Sequence, residues 1–236
     1  MNRLTLGLAV MLLAAGAASG QWEPEVRLTE SDSASEVPAF VGRNLAVDGQ
    51  YVHVVWLEDE GPGRSPQTWY IRSTDQGLSW GQPTPVCSDT FHNVEASVTA
   101  TDGYVHTFWS DMRHSAAIEV YYSRSTDNGA TWSANRRLTT TGSSYEPNSA
   151  VEGSYLHLVW TARRDQTAQI YYKRSPDRGF SWTQDVAISA LDSGAARPTV
   201  AVADSVVQVA YAGQHDDGPE VHYVRSLDNG PVSYTH

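Results

Sequence analysis

The residues best suited to acid–base chemistry in this 236-residue chain recur about 50 residues apart. Glu95 and Glu146 occupy equivalent places in successive stretches of sequence, Arg197 holds the same place in the next stretch, and Arg43 lies one position after that place in the first stretch. A carboxylate can donate or accept a proton, and a guanidinium can bind an anion through two parallel hydrogen bonds. If the four side chains converge, they predict a site for an acidic ligand. A structural ring of mutually compensating charges is the alternative interpretation.

Other ionisable residues accompany these four. Tyr145 adjoins Glu146 and is the phenol best placed to act as a nucleophile. The loops that differ most between the repeats also carry charged residues: Asp111, Arg113, Arg163, Arg164 and, in the other two copies, residues 58–60 with Arg64 and residues 215–217. For each loop charge taken alone, simple solvation is the alternative to a role in a site.

A repeated sequence explains the spacing. The pattern S-x-D-x-G-x-[ST]-W, which we call the repeat motif, begins at Ser73, Ser125 and Ser175, and a shortened copy begins at Ser226. Each period also contains runs of aromatic and β-branched residues typical of strands, and three periods contain an Asp-Gly or Glu-Gly hairpin turn. Four short strands in such a period are typical of one propeller blade. The sequence therefore predicts an all-β fold, a β-propeller of four-stranded antiparallel blades, with four blades represented.

The order of strands within a period predicts the face that carries the site. The Gly turn joins the first strand to the second, and the repeat motif joins the third to the fourth, so both lie on one face. The variable loops and the entries to the first strands then share the opposite face, which is where binding residues on repeat scaffolds gather. We predict that the motif aspartates only build turns: Asp75, Asp127, Asp177 and Asp228. His53, His106 and His157 should be structural, since ligands of one metal ion must converge.

Composition restricts the location and partners of the protein. Residues 1–20 have an Arg at position 3 and an apolar run ending in small residues, which predicts a secretory signal peptide cut after Gly20. Residues 21–236 would then form one exported or periplasmic domain with no membrane span. The formal net charge of −11 does not suit nucleic acid or anionic lipid. The single cysteine, Cys87, excludes an internal disulfide, and no pattern calls for a metal or cofactor.

The repeat motif resembles the Asp-box, or BNR repeat, of the sialidase (neuraminidase) superfamily, and the likeness extends from about Val26 to Gly230. The resemblance implies a six-bladed propeller and a secreted glycoside hydrolase of the exo-sialidase type, acting on terminal acidic sugars of glycans. It also implies an arginine triad for the sugar carboxylate, a Tyr nucleophile paired with Glu, and an Asp acid/base. The candidates in this chain are Glu146, Tyr145 and Asp111 for catalysis, with Arg43, Glu95, Arg113, Arg163, Arg164 and Arg197 for substrate binding.

The sequence also departs from that family pattern. The Arg-Ile-Pro type of motif is missing, and residues 42–44 are its nearest approach. Residues 24–29 resemble an unpaired fourth strand like residues 136–139, and they could complete the last blade of a four-bladed ring. Alternatively, the domain is part of a longer gene product and incomplete at its C-terminus, which is the interpretation that we favour. An open arc would leave its strand edges exposed to association.

Two other functions are compatible with the sequence. An Asp-box propeller can be a non-catalytic protein that binds glycan or protein on its loop face. An Asp-box endoglucanase acting on neutral polysaccharide would place exposed aromatic residues, instead of arginines, beside its carboxylates.

Overall fold

The computed structural model describes residues 22–29, 34–37, 43–59, 65–87, 93–113, 117–164, 167–190, 194–215 and 218–230. The predicted signal peptide lies outside these residues. The regular elements of the described residues are sixteen β-strands in four antiparallel sheets. Among these residues, no helix has the length and hydropathy needed to cross a membrane.

Each sheet corresponds to one sequence period. Sheet 1 contains β1 (Ser35–Glu36), β2 (Leu45–Asp48), β3 (Tyr51–Glu58), β4 (Gln67–Ser73) and β5 (Thr84–Pro85). Sheet 2 contains β6 (Asn93–Thr101), β7 (Tyr104–Asp111), β8 (Glu119–Ser125) and β9 (Arg136–Arg137). Sheet 3 contains β10 (Ser143–Glu152), β11 (Tyr155–Arg164), β12 (Thr167–Ser175) and β13 (Val186–Ala187). Sheet 4 contains β14 (Ala196–Ala203), β15 (Val206–His215) and β16 (Gly218–Ser226).

The sheets pack face to face in chain order, which confirms the all-β prediction with antiparallel sheets. One apolar cluster lies between each sheet and the next, containing Val55 with Trp109, then Phe108 with Trp160, then Val159 with Tyr211. Sheets 2 and 3 therefore bury both faces, and nearly all residues of β7 and most residues of β11 are buried.

The repeat motif folds as the turn that its residues predict. The Asp127 carboxylate accepts hydrogen bonds from the hydroxyls of Ser125 and Thr131 at 2.6 Å and from the Thr131 N–H at 2.8 Å. The Ser125 and Thr131 hydrogen bonds lower the pKa of Asp127 to about 2. The Asn128 N–H donates to the Gly103 carbonyl at 2.8 Å, so the motif and the Asp-Gly turn lie on one face, as predicted.

A recurring contact that we call the latch joins one sheet to the next. In sheet 2, the His106 Nδ1 and the Tyr122 hydroxyl are 2.8 Å apart. That hydroxyl lies against Gly179, the motif glycine of sheet 3, where an added Cβ would stand only 1.9 Å from the Tyr oxygen. The same arrangement joins His53, Tyr70 and Gly129, and again His157, Tyr172 and Gly230.

Two residues at latch positions, Gly77 and Tyr223, lack this arrangement in the described part of the chain. At Gly77, the first motif glycine, the nearest neighbour of an added Cβ would be the Trp80 ring at 3.8 Å. In sheet 4, Tyr223 is 58% exposed, and its hydroxyl donates to the Gln208 side chain at 3.1 Å. Sheets 1 and 4 therefore carry complementary halves of the contact that joins the other sheets.

The latch predicts unequal effects of one substitution at equivalent glycines. Gly77 and Gly179 have similar positive φ angles of 89° and 83°, but only Gly179 faces a Tyr hydroxyl. We expect Gly77→Ala to lower the free energy of unfolding by about 1 kcal/mol, because Ala is strained at positive φ. Gly179→Ala should cost a further 1–3 kcal/mol, roughly, because the methyl group overfills the contact with Tyr122. Urea unfolding measures both values, and equal losses would contradict the latch.

The latch histidines predict a loss of stability in acid. Burial lowers the pKa of His157 to about 4, so His157 is neutral in the fold but becomes protonated in the unfolded chain below about pH 6.5. Stability is therefore lost as the pH falls from about 6.5 to 4. His157→Gln copies the Gln208–Tyr223 pair, and it should reduce this loss by up to about 3 kcal/mol. Urea midpoints at pH 7.5 and pH 4 test this, with the wild type as control; parallel losses in both proteins would refute it.

Candidate functional site

The entries to the first strands of sheets 2, 3 and 4 share a bulge. The pairing register with the second strand shifts between Val94 and Ser97, and it shifts at the equivalent places of the next two sheets. The bulge residues have left-handed backbone conformations, which are uncommon for residues other than glycine: Glu95 (φ 56°), Glu146 (φ 57°) and Arg197 (φ 57°). A bulge redirects the side chains at a strand end, and here it sets the three candidate residues in equivalent positions.

The two glutamates link the bulges in series. The Glu95 carboxylate accepts the Glu146 N–H at 2.7 Å and the Ser110 hydroxyl at 2.8 Å. The Glu146 carboxylate accepts the Arg197 N–H and the Thr161 hydroxyl, both at 2.7 Å. Each carboxylate therefore holds the bulge of the following sheet, which is a structural role that the sequence left open as the alternative.

Tyr145 lies within the electrostatic reach of both carboxylates. Its phenol is half-buried, and burial raises its pKa, with further increases from Glu146 and Glu95 and an opposing effect from Arg163. Burial also raises the pKa of Glu95, and the nearby Glu146 carboxylate adds to this effect. Tyr145 adjoins Glu146, whose N–H is bonded by Glu95, and it lies two pairs from Arg163 in the ladder of β10 and β11, so the four residues share the face opposite the repeat motif.

The remaining arginines of this group differ in exposure. Arg163 and Arg197 are exposed. Arg43 is half-buried, and its Nη2 donates to the Val200 carbonyl of sheet 4 at 3.2 Å. Burial lowers the pKa of Arg43. Arg43 therefore connects the first and fourth sheets, while Arg163 and Arg197 remain accessible to a ligand.

Among the described residues, Asp111 and Arg113 contact each other and not this group. The Asp111 carboxylate is fully buried and accepts hydrogen bonds from the Trp109 ring at 3.0 Å and from Arg113 Nη2 at 2.6 Å. The Arg113 guanidinium lies 4.1 Å above the Tyr121 ring and donates to the Cys87 sulfur of sheet 1 at 3.1 Å. Both residues thus form an internal ion pair between sheets 1 and 2.

Arg164 has an equivalent place in sheet 3. Its guanidinium lies 3.8 Å above the Tyr171 ring and pairs with Asp185 at 2.5 Å. These contacts give Arg164 a packing role on the sheet. Several loop residues named in the sequence analysis lie outside the described residues: 42, 60, 64, 216 and 217.

Sequence reasoning missed Ser110 and Thr161, the hydroxyl donors to the two glutamates. Each directly follows the Trp of its second strand and lies 15 positions after its glutamate. Sheets 1 and 4 have Leu57 and Ala212 at this place, where the glutamate is also replaced. A comparison of the repeats with one another would have shown that the glutamate and the hydroxyl occur together.

The site has no cluster typical of a metal centre. Within the described part of the chain, no group of three or more His, Cys, Asp or Glu side chains is arranged to hold a metal ion.

Comparison with known proteins supports this architecture. A family model described as a BNR repeat-like domain matches residues 9–227. A search of curated proteins found no match.

Several solved structures share the fold at low sequence identity. A Hadza microbial sialidase matches with a TM-score of 0.57 and 18% identity, covering 80% of this chain and 43% of the sialidase. The GH93 α-L-arabinofuranosidase of Fusarium graminearum matches with a TM-score of 0.59 and 16% identity, covering 81% of this chain and 65% of the enzyme. An α-L-arabinanase of Penicillium chrysogenum gives 0.58 and 16%, with coverages of 84% and 69%. This chain thus spans less than half of the sialidase.

The hydrogen bonds of the Glu146 carboxylate to the next sheet predict different outcomes for two substitutions of Glu146. Glu146→Ala leaves the Arg197 N–H and the Thr161 hydroxyl without their acceptor, so we expect a loss of about 1–3 kcal/mol in the free energy of unfolding. Glu146→Gln keeps an acceptor oxygen and should cost less than about 1 kcal/mol. Urea unfolding compares the two with Glu25→Ala, an exposed control. If Glu146→Ala matches this control, the carboxylate does not support sheet 4.

Proposed function

Because the chain belongs to the BNR repeat-like domain family of the sialidase superfamily, we propose that it is a glycoside hydrolase. Its substrates would be glycans that end in an acidic sugar, as for an exo-sialidase. One observation carries the proposal: Tyr145 adjoins Glu146, whose N–H is bonded by the Glu95 carboxylate, and it lies at the same end of sheet 3 as Arg163. The similar solved structures include sialidases and arabinan-degrading enzymes, which is consistent with a glycosidase.

Tyr145 would be the nucleophile. A phenol with a raised pKa is protonated at neutral pH, so it needs a base when it attacks the anomeric carbon. Glu146 is the adjacent residue and would accept that proton. Attack by a neutral phenol, whose proton passes to the Glu146 carboxylate, avoids placing a charged carboxylate nucleophile against an anionic sugar, and tyrosine nucleophiles are a known exception to the two-carboxylate scheme.

Glu95 would be the general acid. A carboxyl group that protonates a leaving group at neutral pH needs a raised pKa, and burial raises the pKa of Glu95. The sequence had favoured Asp111 for an acid/base role and Glu95 for binding. Because Asp111 is held in a buried ion pair with Arg113, we assign the role of the acid to Glu95 instead.

Arg163 and Arg197 would bind the sugar carboxylate. Both guanidinium groups are exposed, and the backbone of Arg197 is held by Glu146. An arginine can donate two parallel hydrogen bonds to one carboxylate, which gives orientation as well as affinity. Arg43 would contribute a third positive charge near Val200.

The proposal includes a larger ring and export of the protein. Exposed Tyr223 and the open space at Gly77 are complementary surfaces for further sheets of the same type. Two more sheets would complete the six-bladed ring expected from the sequence. Residues 1–20 would direct the protein out of the cytoplasm as a cleaved signal peptide.

A non-catalytic protein that binds glycans on the same face is the second candidate function. The contacts of Glu95 and Glu146 favour it, because one oxygen of each carboxylate already accepts a backbone N–H and a hydroxyl. Carboxylates with this role would be retained even without catalysis.

Activity on fluorogenic substrates separates the two functions. We expect hydrolysis of an α-sialoside, and we expect Tyr145→Phe and Arg197→Ala to lower kcat/KM by about 100-fold or more. Tyr155→Phe, at the opposite end of the same sheet, is the matched control and should retain activity.

Hydrolysis of an α-L-arabinofuranoside alone would leave a glycosidase but remove the preference for acidic sugars. A folded protein that binds sialoside without hydrolysing either substrate would support the second function and exclude the first.

A further inference from the structure

Ser110 and Thr161 carry buried hydroxyl groups at equivalent places in sheets 2 and 3, and neither residue is exposed to solvent. Ser110 donates to the Glu95 carboxylate at 2.8 Å, and Thr161 donates to the Glu146 carboxylate at 2.7 Å. Backbone groups make the pairing of these strands, so the sheets do not need the two hydroxyls. Their contacts with the glutamates therefore need a separate reason.

Each carboxylate receives both of its hydrogen bonds on the same oxygen. Glu95 Oε2 accepts the Ser110 hydroxyl and the Glu146 N–H, and Glu146 Oε2 accepts the Thr161 hydroxyl and the Arg197 N–H. In the described part of the chain, the Oε1 atom of neither glutamate has a hydrogen-bonding partner. A carboxyl group can carry its proton on one oxygen while the other oxygen accepts hydrogen bonds. The geometry therefore suits both an ionised carboxylate and a carboxyl group protonated at Oε1.

The surroundings of the two glutamates differ. Burial and, to a lesser extent, the Glu146 carboxylate raise the pKa of Glu95, whereas hydrogen bonds from the Glu146 N–H and the Ser110 hydroxyl lower it. Glu146 instead binds the N–H of a cationic residue, Arg197. The other charged or titratable residues at this end of the adjoining strands are Tyr145, Arg163 and Arg43, with Asp111 and Arg164 held in ion pairs of their own. Because a hydrogen bond to an ionised carboxylate favours that form, each hydroxyl acts on the protonation of one glutamate.

We propose that Ser110 and Thr161 are positioning residues for the acid and the base. Each hydroxyl fixes Oε2 of its glutamate and leaves Oε1 to exchange the proton. As the Tyr145 oxygen bonds to the anomeric carbon, its proton passes to Glu146 Oε1. The bond from that carbon to the leaving group breaks, and Glu95 Oε1 gives its proton to the leaving oxygen. This inference rests on the proposed glycosidase function.

The dependence of kcat/KM on pH tests each hydroxyl separately. Activity should rise with pH as Glu146 loses its proton and fall as Glu95 loses its proton. Thr161→Val removes a hydrogen bond that favours ionised Glu146, so the rising limb should move up by about one pH unit. Ser110→Ala does the same for Glu95, so the falling limb should move up by about one pH unit. Each variant should leave the other limb in place.

Two control variants separate positioning from packing. Thr161→Ser keeps the hydroxyl and should keep the wild-type limb. Thr107→Val removes another buried hydroxyl of sheet 2, which donates to the Ser123 carbonyl at 3.3 Å, and it should move neither limb. Lower activity with both limbs unmoved in Thr161→Val and Ser110→Ala would overturn the inference, because the hydroxyls would then only support the fold.

Carbon-13 NMR of the glutamate carboxyl groups tests the inference without turnover. The Glu95 signal is assigned with Glu95→Gln, and the pKa of Glu95 should rise by about one unit in Ser110→Ala and stay unchanged in Thr107→Val. An inactive wild type with this rise would overturn the proposed function and support the action of the hydroxyl on Glu95. An active wild type with no rise and no moved limb would overturn the inference and leave the proposed function standing.

Discussion

The packing of one sheet on the next depends on a tyrosine hydroxyl that is buried against a glycine. The hydroxyls of Tyr70, Tyr122 and Tyr172 occupy the space that a side chain would fill at the motif glycine of the following sheet. Each hydroxyl keeps a hydrogen-bonding partner in a buried histidine, so the buried hydroxyl itself is not left unpaired. Because the contact needs both the turn of one sheet and the strand of its neighbour, it couples the local shape of the motif to the stacking of the sheets. Each sheet that takes part in this contact needs the same residues, and the sequence repeats them about every 50 residues.

The candidate site uses the same kind of link on the opposite face. The carboxylates of Glu95 and Glu146 hold the left-handed residues of the following bulges, and they also lie beside Tyr145. A residue with both roles is fixed in position before any ligand binds, which is the preorganisation that acid–base chemistry requires. It also means that loss of activity in a glutamate variant is informative only when the stability of that variant is known. Tyr145, Arg163 and Arg197 are better probes of function for this reason.

The sequence was sufficient to predict the fold class, the strand order and the face on which the site lies, because these follow from the period and from the turn residues. It was less informative about Asp111, Arg113 and Arg164. These residues lie at strand ends, where successive side chains point to opposite sides of a sheet. Asp111 and its neighbour Ser110 illustrate this, since Ser110 contacts Glu95 while Asp111 is buried and pairs with Arg113, which donates to Cys87. A shift of one position separates a site residue from a core residue, and the spacing of charged residues alone does not resolve such a shift.

Differences between the sheets show which residues act in pairs, and the repeated motif alone does not show this. A hydroxyl follows the Trp only in the two sheets that have a glutamate at the bulge, and an arginine occurs in the outer strand only where an acid faces it. Such pairs distinguish sheets that are otherwise equivalent. The acidic bulges belong to sheets 2 and 3, whereas Arg43 and Arg197 belong to sheets 1 and 4. A symmetrical scaffold thereby gains an asymmetric charge distribution around its centre. If the proposed function holds, that asymmetry would give a bound acidic sugar one favoured orientation, with its carboxylate toward the arginines and its reacting carbon toward Tyr145.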